Sequence, residues 1–231
     1  MYIDDNIYMI QNPKDKVSKY YTDLVLPSWD KFGYYINMFD CVWSDTLHEY
    51  DYLTFDKYEV LNKYDKALLS RPLYESEKAT WYSHSLLWIK CAMEDKDIAI
   101  IEHDVECVAP LDFEKRGLNI FSNYDNESEW KHYANRFTLH PYWGHRNKLV
   151  PFTHAYTLTP KIATELLAML QPVVFKGFAD DLLLKYKLEK ECDNSLDKVK
   201  ESVYNYTKPI INHKVGNTID HGHVGFYIWI E

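Results

Sequence analysis

Apolar positions along the chain change period several times, and each change marks an element. Near the amino terminus "NIYMIQN" is a short alternating apolar run that predicts a first strand. The helix-like "KDKVSKYYTDLVLPSW" follows, and "YYINMFDCV" predicts a second strand, so the chain opens strand, helix, strand. Between Ser76 and Asp95, Ala79, Tyr82, Leu86, Ile89 and Met93 recur at helical spacing and predict an amphipathic helix. It feeds "DKDIAIIEHDVECV", in which four apolar residues, Ile98 to Ile101, end abruptly on Glu102, His103 and Asp104. A helix leading into a buried strand is α/β grammar.

Farther on, "HAYTLTPKIATELLAMLQP" reads as a strand and then a sharply bounded helix. Thr159 can cap that helix, Pro160 fits its first turn, Ile162, Leu166 and Leu170 share a face, and Pro172 closes it. A last helix is expected around "ADDLLLKYKLEK", where Asp180 and Asp181 also suit a first turn through the helix dipole. The tail "PIINHKVGNTIDHGHVGFYIWI" ends in an alternating, aromatic segment, which fits either a terminal strand or an extension packed over a site. No internal repeat or low-complexity tract is visible, and Pro and Gly are scattered. Residues 1–231 therefore read as one α/β domain, with 205–231 as a C-terminal extension.

Composition bounds the function without naming it. A chain of 231 residues with 46% apolar and 16% aromatic content can bury a proper core, which argues against disorder. Cys41, Cys91, Cys107 and Cys192 show neither the short paired spacing of a zinc site nor the density of a disulfide scaffold, so reduced thiols are expected. The start "MYIDDNIYMI" has acids where a signal peptide needs a basic flank, and no apolar run approaches the length that spans a bilayer. The expectation is a soluble, cytoplasmic protein. A net charge of -9 argues against a protein whose whole surface grips nucleic acid. One stretch departs from that balance: Lys131, Arg136, Arg146 and Lys148 stand among histidines and aromatics with no carboxylate between them. It is either an ordinary solvated loop or an anion-binding surface.

In open α/β sheets ligands sit outside the carboxyl ends of the parallel strands, because loops converge there while the strand interior stays dry. Glu102 and Asp104 fall at that place. Alternate positions of an extended segment point to one side, so the two carboxylates are expected to face one ion while His103 faces elsewhere. A hard divalent cation carrying phosphate oxygens is the natural partner of such a pair. Two acids merely solvated at a strand end are the plainer alternative.

Context extends the signal. The run "ESEKATWYSHSLLWIKCAMEDKDIAIIEHDVE" resembles the signature of family 25 glycosyltransferases, in which Gly-Glu-Ile-Gly-Cys is followed by Ser-His, an aromatic helix, a hydrophobic strand and Glu-Asp-Asp. Glu77, Ser83, His84, Trp88, Glu102 and Asp104 match in order. Ser76, Lys78, Ala79 and Thr80 depart from the consensus, and His103 replaces the middle acid. "FTHAYTLTPKIATELL", with Ala155 and Tyr156, is similar to a later strand and helix of the family, and "GFADDLLL" to its Val-Asp-aromatic-Leu element with Asp180 at the matching place. "NIYMIQN", including Ile10, sits where these enzymes begin their first nucleotide-binding strand. The likeness has gaps at about 45 to 70 and 110 to 145.

The resemblance implies a single-domain GT-A fold, a Rossmann-like nucleotide-binding half merged with an acceptor-binding half. It implies transfer of a sugar from a nucleotide-diphosphate donor, such as a UDP-sugar, with Mn2+ or Mg2+ held by Glu102 and Asp104. Ile10, Glu77, Ser83 and His84 would lie toward the donor, although a lone helical histidine such as His84 is more often a hydrogen-bonded structural group. One of His213, His221 and His223 would join the metal, imidazole being a suitable manganese ligand. Arg146 and Lys148 would neutralise diphosphate charge. The family inverts the anomeric centre, which assigns Asp180 or Asp181 as the base. The acceptor is a glycan or small hydroxyl compound, or alternatively a hydroxymethylated cytosine in phage DNA, flipped out beside Tyr133, Tyr142 or Trp143. A metal-dependent phosphohydrolase and a non-catalytic sugar-binding module are the rivals from other classes.

Overall fold

The structure, a computed structural model, describes residues 6–55, 58–61, 68–107, 117–120, 154–170, 183 and 211–213. The opening strand, helix and strand are β1 (Ile7–Gln11), α1 (Lys16–Asp30) and β2 (Ile36–Asp40). A short antiparallel pair, β3 (Tyr58–Leu61) and β4 (Leu68–Arg71), precedes α2 (Glu75–Glu94). There follow β5 (Ile98–Glu102), β6 (Val105–Cys107), β7 (Asn119–Ile120), β8 (Ala155–Leu158), α3 (Pro160–Met169) and β9 (Ile211–His213).

One open sheet carries the fold, in the order β2-β1-β5-β8-β7. β1 lies between β2 and β5 and runs parallel to both, β8 runs against β5, and β7 runs against β8. The α/β expectation holds, with helices on both faces. Strand alternation sorts the side chains. On the first face Ile7, Met9, Ala99, Ile101 and Ala155 pack with Val25 and Trp29 of α1. On the other, Ile98, Ile100, Tyr156 and Leu158 pack with Trp81 and Trp88 of α2 and with Ile162 and Leu166 of α3. β5 is therefore dry on both sides, which is why its sequence is a continuous apolar run rather than an alternating one.

Local chemistry fixes the helix ends. Asp15 caps α1 by accepting hydrogen bonds from the Val17 and Ser18 amides at 3.3 and 2.9 Å. Thr159 caps α3 from the Ile162 amide, with Pro160 in the first turn as expected. α2 stops at Asp95, whose backbone is left-handed at φ 52°, a conformation that Asp tolerates better than most residues.

The buried stripe of α2 differs from the one its sequence suggests. Met93 is 81% exposed, and Leu86 and Ile89 are only partly buried, whereas Ser83, His84 and Ser85 are buried. The reason is local satisfaction of polar groups. Ser83 and Ser85 donate to the Ala79 and Tyr82 carbonyls at 2.8 and 3.0 Å, so burying them strands no donor. The helix is covered around most of its middle, and the amphipathic expectation fails there. Among the described residues no helix is long and apolar enough to cross a membrane.

The segment after β5 is held from the α1 side. Trp29 donates its indole Nε1–H to the Val105 carbonyl at 2.8 Å, and the Cys107 amide donates to Ser28 Oγ at 2.9 Å. These two bonds fix β6, and with it the turn at His103 and Asp104. Trp29→Phe keeps most of the packing but leaves the buried Val105 carbonyl without its donor. We expect a loss of about 1–3 kcal/mol, read as a lower urea midpoint at unchanged slope.

Candidate active site at the carboxyl ends of the parallel strands

The carboxyl ends of β2, β1 and β5 lie side by side, with Gln11 in register with Asp40 and Ile10 in register with Glu102. All three strands run out into polar residues at this edge. Gln11 donates from Nε2 to Asp40 Oδ1 at 3.2 Å, and the Cys41 amide donates to the Gln11 carbonyl at 2.7 Å. Beyond β1 the buried Asn12 folds the chain back onto α1: its amide donates to Ser18 Oγ at 2.9 Å and its side chain accepts from the Lys14 amide at 3.1 Å.

The amino end of α1 opens on this same edge, where dinucleotide-binding folds place a pyrophosphate. Here the Asp15 carboxylate already occupies the Val17 and Ser18 amides. A phosphate brought to that helix end would meet a negative charge instead of open donors. Charge neutralisation for a phosphorylated ligand must come from another direction.

Glu102 closes β5, and its amide donates to the His154 carbonyl at 2.8 Å, which fixes the backbone. Its side chain is 26% exposed, and Oε1 lies 3.7 Å from His84 Nε2. Behind it, His84 Nδ1 lies 2.8 Å from the Tyr156 hydroxyl, which also accepts the Trp88 indole N–H at 2.8 Å. The Tyr156 hydroxyl is pushed well above its ordinary pKa, chiefly by burial and further by the Glu102 charge, with the Trp88 bond opposing. It stays protonated. His84 thus has the hydrogen-bonded core position expected of a lone helical histidine.

Asp104 corrects the expected pleat. The strand ends at Glu102, and His103 and Asp104 form a turn before β6, so strand alternation does not decide where the second carboxylate lies. Asp104 is 5% exposed. His103 is partly buried, and its Nε2 has no hydrogen-bond partner among the described residues. Of the carboxyl-terminal histidines, His213 is placed by its backbone alone: β9 pairs antiparallel with β6, and His213 is in register with Val105, next to Asp104 in sequence. Arg146, Lys148, Asp180, Asp181, His221 and His223 lie outside the described residues, as does the basic run from Lys131 to Lys148.

Three residues expected toward the donor have structural work. Ile10 is buried in the core. The Glu77 carboxylate accepts from the Tyr74 amide at 2.7 Å at the start of α2, and Ser83 Oγ accepts from the Val42 amide at 2.9 Å, tying α2 to the end of β2. Asp15 and Asp40 were missed in the sequence. Asp40 carried a readable signal, since "YYINMFDCV" ends its apolar run on an acid much as β5 does.

Among the described residues no group of three or more His, Cys, Asp or Glu side chains gathers as a metal site. Glu102 and the turn residue Asp104 still suit a hard cation in donor chemistry: magnesium-type sites use one or two carboxylates and complete their shell with water and substrate phosphates. A family model described as glycosyltransferase family 25 (LPS biosynthesis protein) matches residues 23–184. That span contains Glu77, Ser83, His84, Glu102, Asp104, Arg146, Lys148, Asp180 and Asp181, and leaves out β1 and the histidines from His213 onward. No curated protein matches the chain.

Cys41 stands at this edge without being a nucleophile. Burial, then Asp40, push its thiol up to about 12. At pH 8 it should react with iodoacetamide on the order of a thousandfold more slowly than a free thiol, because the thiolate is the reacting form. Mass spectrometry of labelled Cys41 over time reads the rate. Unfolding in urea should restore ordinary reactivity.

Proposed function

The chain belongs to glycosyltransferase family 25, and we propose that it works as a metal-dependent, inverting transferase with its donor at the carboxyl ends of β1, β2 and β5. As a glycosyltransferase it moves a sugar from a nucleotide-sugar donor to an acceptor. The observation that carries the finer reading is Glu102, a carboxylate at the end of the central parallel strand with its backbone fixed and His84 behind it. The Asp15-capped end of α1 supports the same reading, because a carboxylate already holds the Val17 and Ser18 amides that a diphosphate would meet there.

In this reading Glu102 and Asp104 hold Mn2+ or Mg2+ against the diphosphate of a UDP-type donor. When bound, such a cation supplies Lewis-acid stabilisation of the charge on the leaving group. Arg146 and Lys148 add positive charge to the same group. His213 is favoured over His221 and His223 as a further ligand, since its backbone pairs opposite Val105. In this reading the chain acts as one catalytic domain, with residues 205–231 as a C-terminal extension closing over the site.

Transfer needs a proton acceptor on the face opposite the leaving group. The acceptor oxygen bonds to the anomeric carbon as the carbon–oxygen bond to phosphate breaks. The electron pair leaves with the diphosphate, and the acceptor's proton passes to Asp180 or Asp181. A glycan hydroxyl is the favoured acceptor: the family's description is of LPS biosynthesis, and a net charge of -9 opposes a DNA-coating surface.

Calorimetric titration with UDP and Mn2+ tests the metal pair. Glu102→Gln and Asp104→Asn should lower nucleotide binding in the presence of Mn2+ to the level seen without it. Glu102→Gln should also keep or slightly raise the unfolding midpoint, because clustered acids at a functional edge repel one another when empty. Unchanged Mn2+-dependent affinity in both variants would remove the metal role.

The base is tested by turnover. The Asn variant of whichever aspartate takes the proton should keep donor affinity and lose roughly 100- to 10,000-fold in kcat. Steady-state transfer from UDP-sugars to saccharide acceptors reads both quantities. Parent-like rates from Asp180→Asn and Asp181→Asn alike would place the base elsewhere.

A further inference from the structure

The three buried polar side chains behind Glu102 carry information about hydrogen position that distances alone do not give. Trp88 Nε1 can only donate, and it donates to the Tyr156 hydroxyl. That hydroxyl has one proton of its own to place, and His84 Nδ1 lies 2.8 Å away. If Tyr156 donates there, Nδ1 is the acceptor nitrogen, and the proton of a neutral imidazole sits on Nε2, facing Glu102 Oε1. The reverse tautomer would leave the Tyr156 proton without this acceptor and turn a bare nitrogen lone pair toward a carboxylate. Both consequences are unfavourable, so the chain of bonds selects one tautomer.

We propose that His84, locked in its Nε2–H tautomer by Tyr156 and Trp88, is a positioning residue that orients the Glu102 carboxylate for its cation. The proposal rests on the reading of Glu102 as a metal ligand. At 3.7 Å the two groups face each other beyond hydrogen-bond reach. His84 is 1% exposed and held from behind by Tyr156, whereas the Glu102 side chain is 26% exposed, so any closing of the gap falls to the carboxylate. Such contacts are often long in an empty site and tighten when it is loaded. Bonds from a second layer to a ligating carboxylate restrict the orientations it can adopt before the metal arrives.

A residue that only fills the core predicts a different pattern of variants from one that presents an N–H. In Gln the amide nitrogen is as many bonds from Cβ as Nε2 is in His, whereas the Asn nitrogen reaches only the Nδ1 position. Mn2+ affinity in the presence of saturating UDP is the readout, by calorimetry, at a temperature well below each variant's unfolding midpoint. His84→Asn should weaken Mn2+ binding by about 10- to 100-fold, and His84→Gln by no more than about threefold. Tyr156→Phe, which removes the hydroxyl behind His84, should weaken it by roughly three- to tenfold.

Glu102→Gln, measured alongside, separates the two ideas. If it abolishes Mn2+ binding while His84→Asn and Tyr156→Phe bind as the parent does, Glu102 is a ligand and the positioning role is wrong. If Glu102→Gln itself binds Mn2+ as the parent does, the ligand reading fails and the positioning role fails with it. Should His84→Asn not fold, Tyr156→Phe decides: weaker Mn2+ binding in a folded protein supports the proposal, and parent-like binding overturns it.

Discussion

Strand β5 has no wet face, and that constraint reaches most of the structure. Its residues Ile98 and Ile100 are sealed by α2 and α3, and Ala99 and Ile101 by the α1 side. Any polar group near it must find its partner inside the protein, because an unsatisfied buried donor or acceptor costs about 1–3 kcal/mol. Trp88, Tyr156 and His84 meet that demand for one another across the interface of α2 with the sheet. Deleting Tyr156 strands both of the others, and deleting His84 takes away the Tyr156 hydroxyl's partner on that side, which makes the three a unit.

The first place β5 can meet water is its carboxyl end, and there the polar residues appear together. Glu102 marks the boundary: its backbone belongs to the sheet, bonded to His154, while its side chain belongs to the edge. The neighbouring strands end the same way, with Gln11 bonded to Asp40. Asp15 changes what this edge can bind. A free helix end would favour a phosphate directly, but an Asp-capped one leaves the edge acidic, with Asp40 and Glu102 closing the strands on either side of β1. An acidic edge takes up a diphosphate only when positive charge accompanies it, whether as a cation or as Arg and Lys side chains.

How much of this was readable from the sequence depended on whether polarity meant exposure. β5 and α3 were legible because their signals were unmixed: four apolar residues in one case, Thr159, Pro160 and a clean face in the other. The face of α2 was misread because Ser83, His84 and Ser85 look like the wet side of a helix. Two of them bond to the helix's own carbonyls and the third to Tyr156, so none needs water. The structural bonds of Glu77 and Ser83 were not legible, since a helix-capping acid and a donor-facing acid look alike in one dimension. The bond from Trp29 to Val105 spans 76 residues, and nothing local in either segment announces it.

Asp104 shows what an extended-strand argument leaves out. Alternation would have put both acids on one side with His103 opposite, but the chain turns at His103, and β6 is pulled toward α1 by Trp29 and Ser28. The turn, rather than the pleat, then governs the relation of the two carboxylates. This also bears on the departure from the family's triple acid. A histidine at the middle position removes one negative charge from three adjacent residues, lowering the repulsion within the turn. It leaves Glu102 backed by His84 and Asp104 buried at the entrance to β6. The chain can lose the middle acid and keep a pair because strand end and turn are anchored independently, one through β8 and the other through α1.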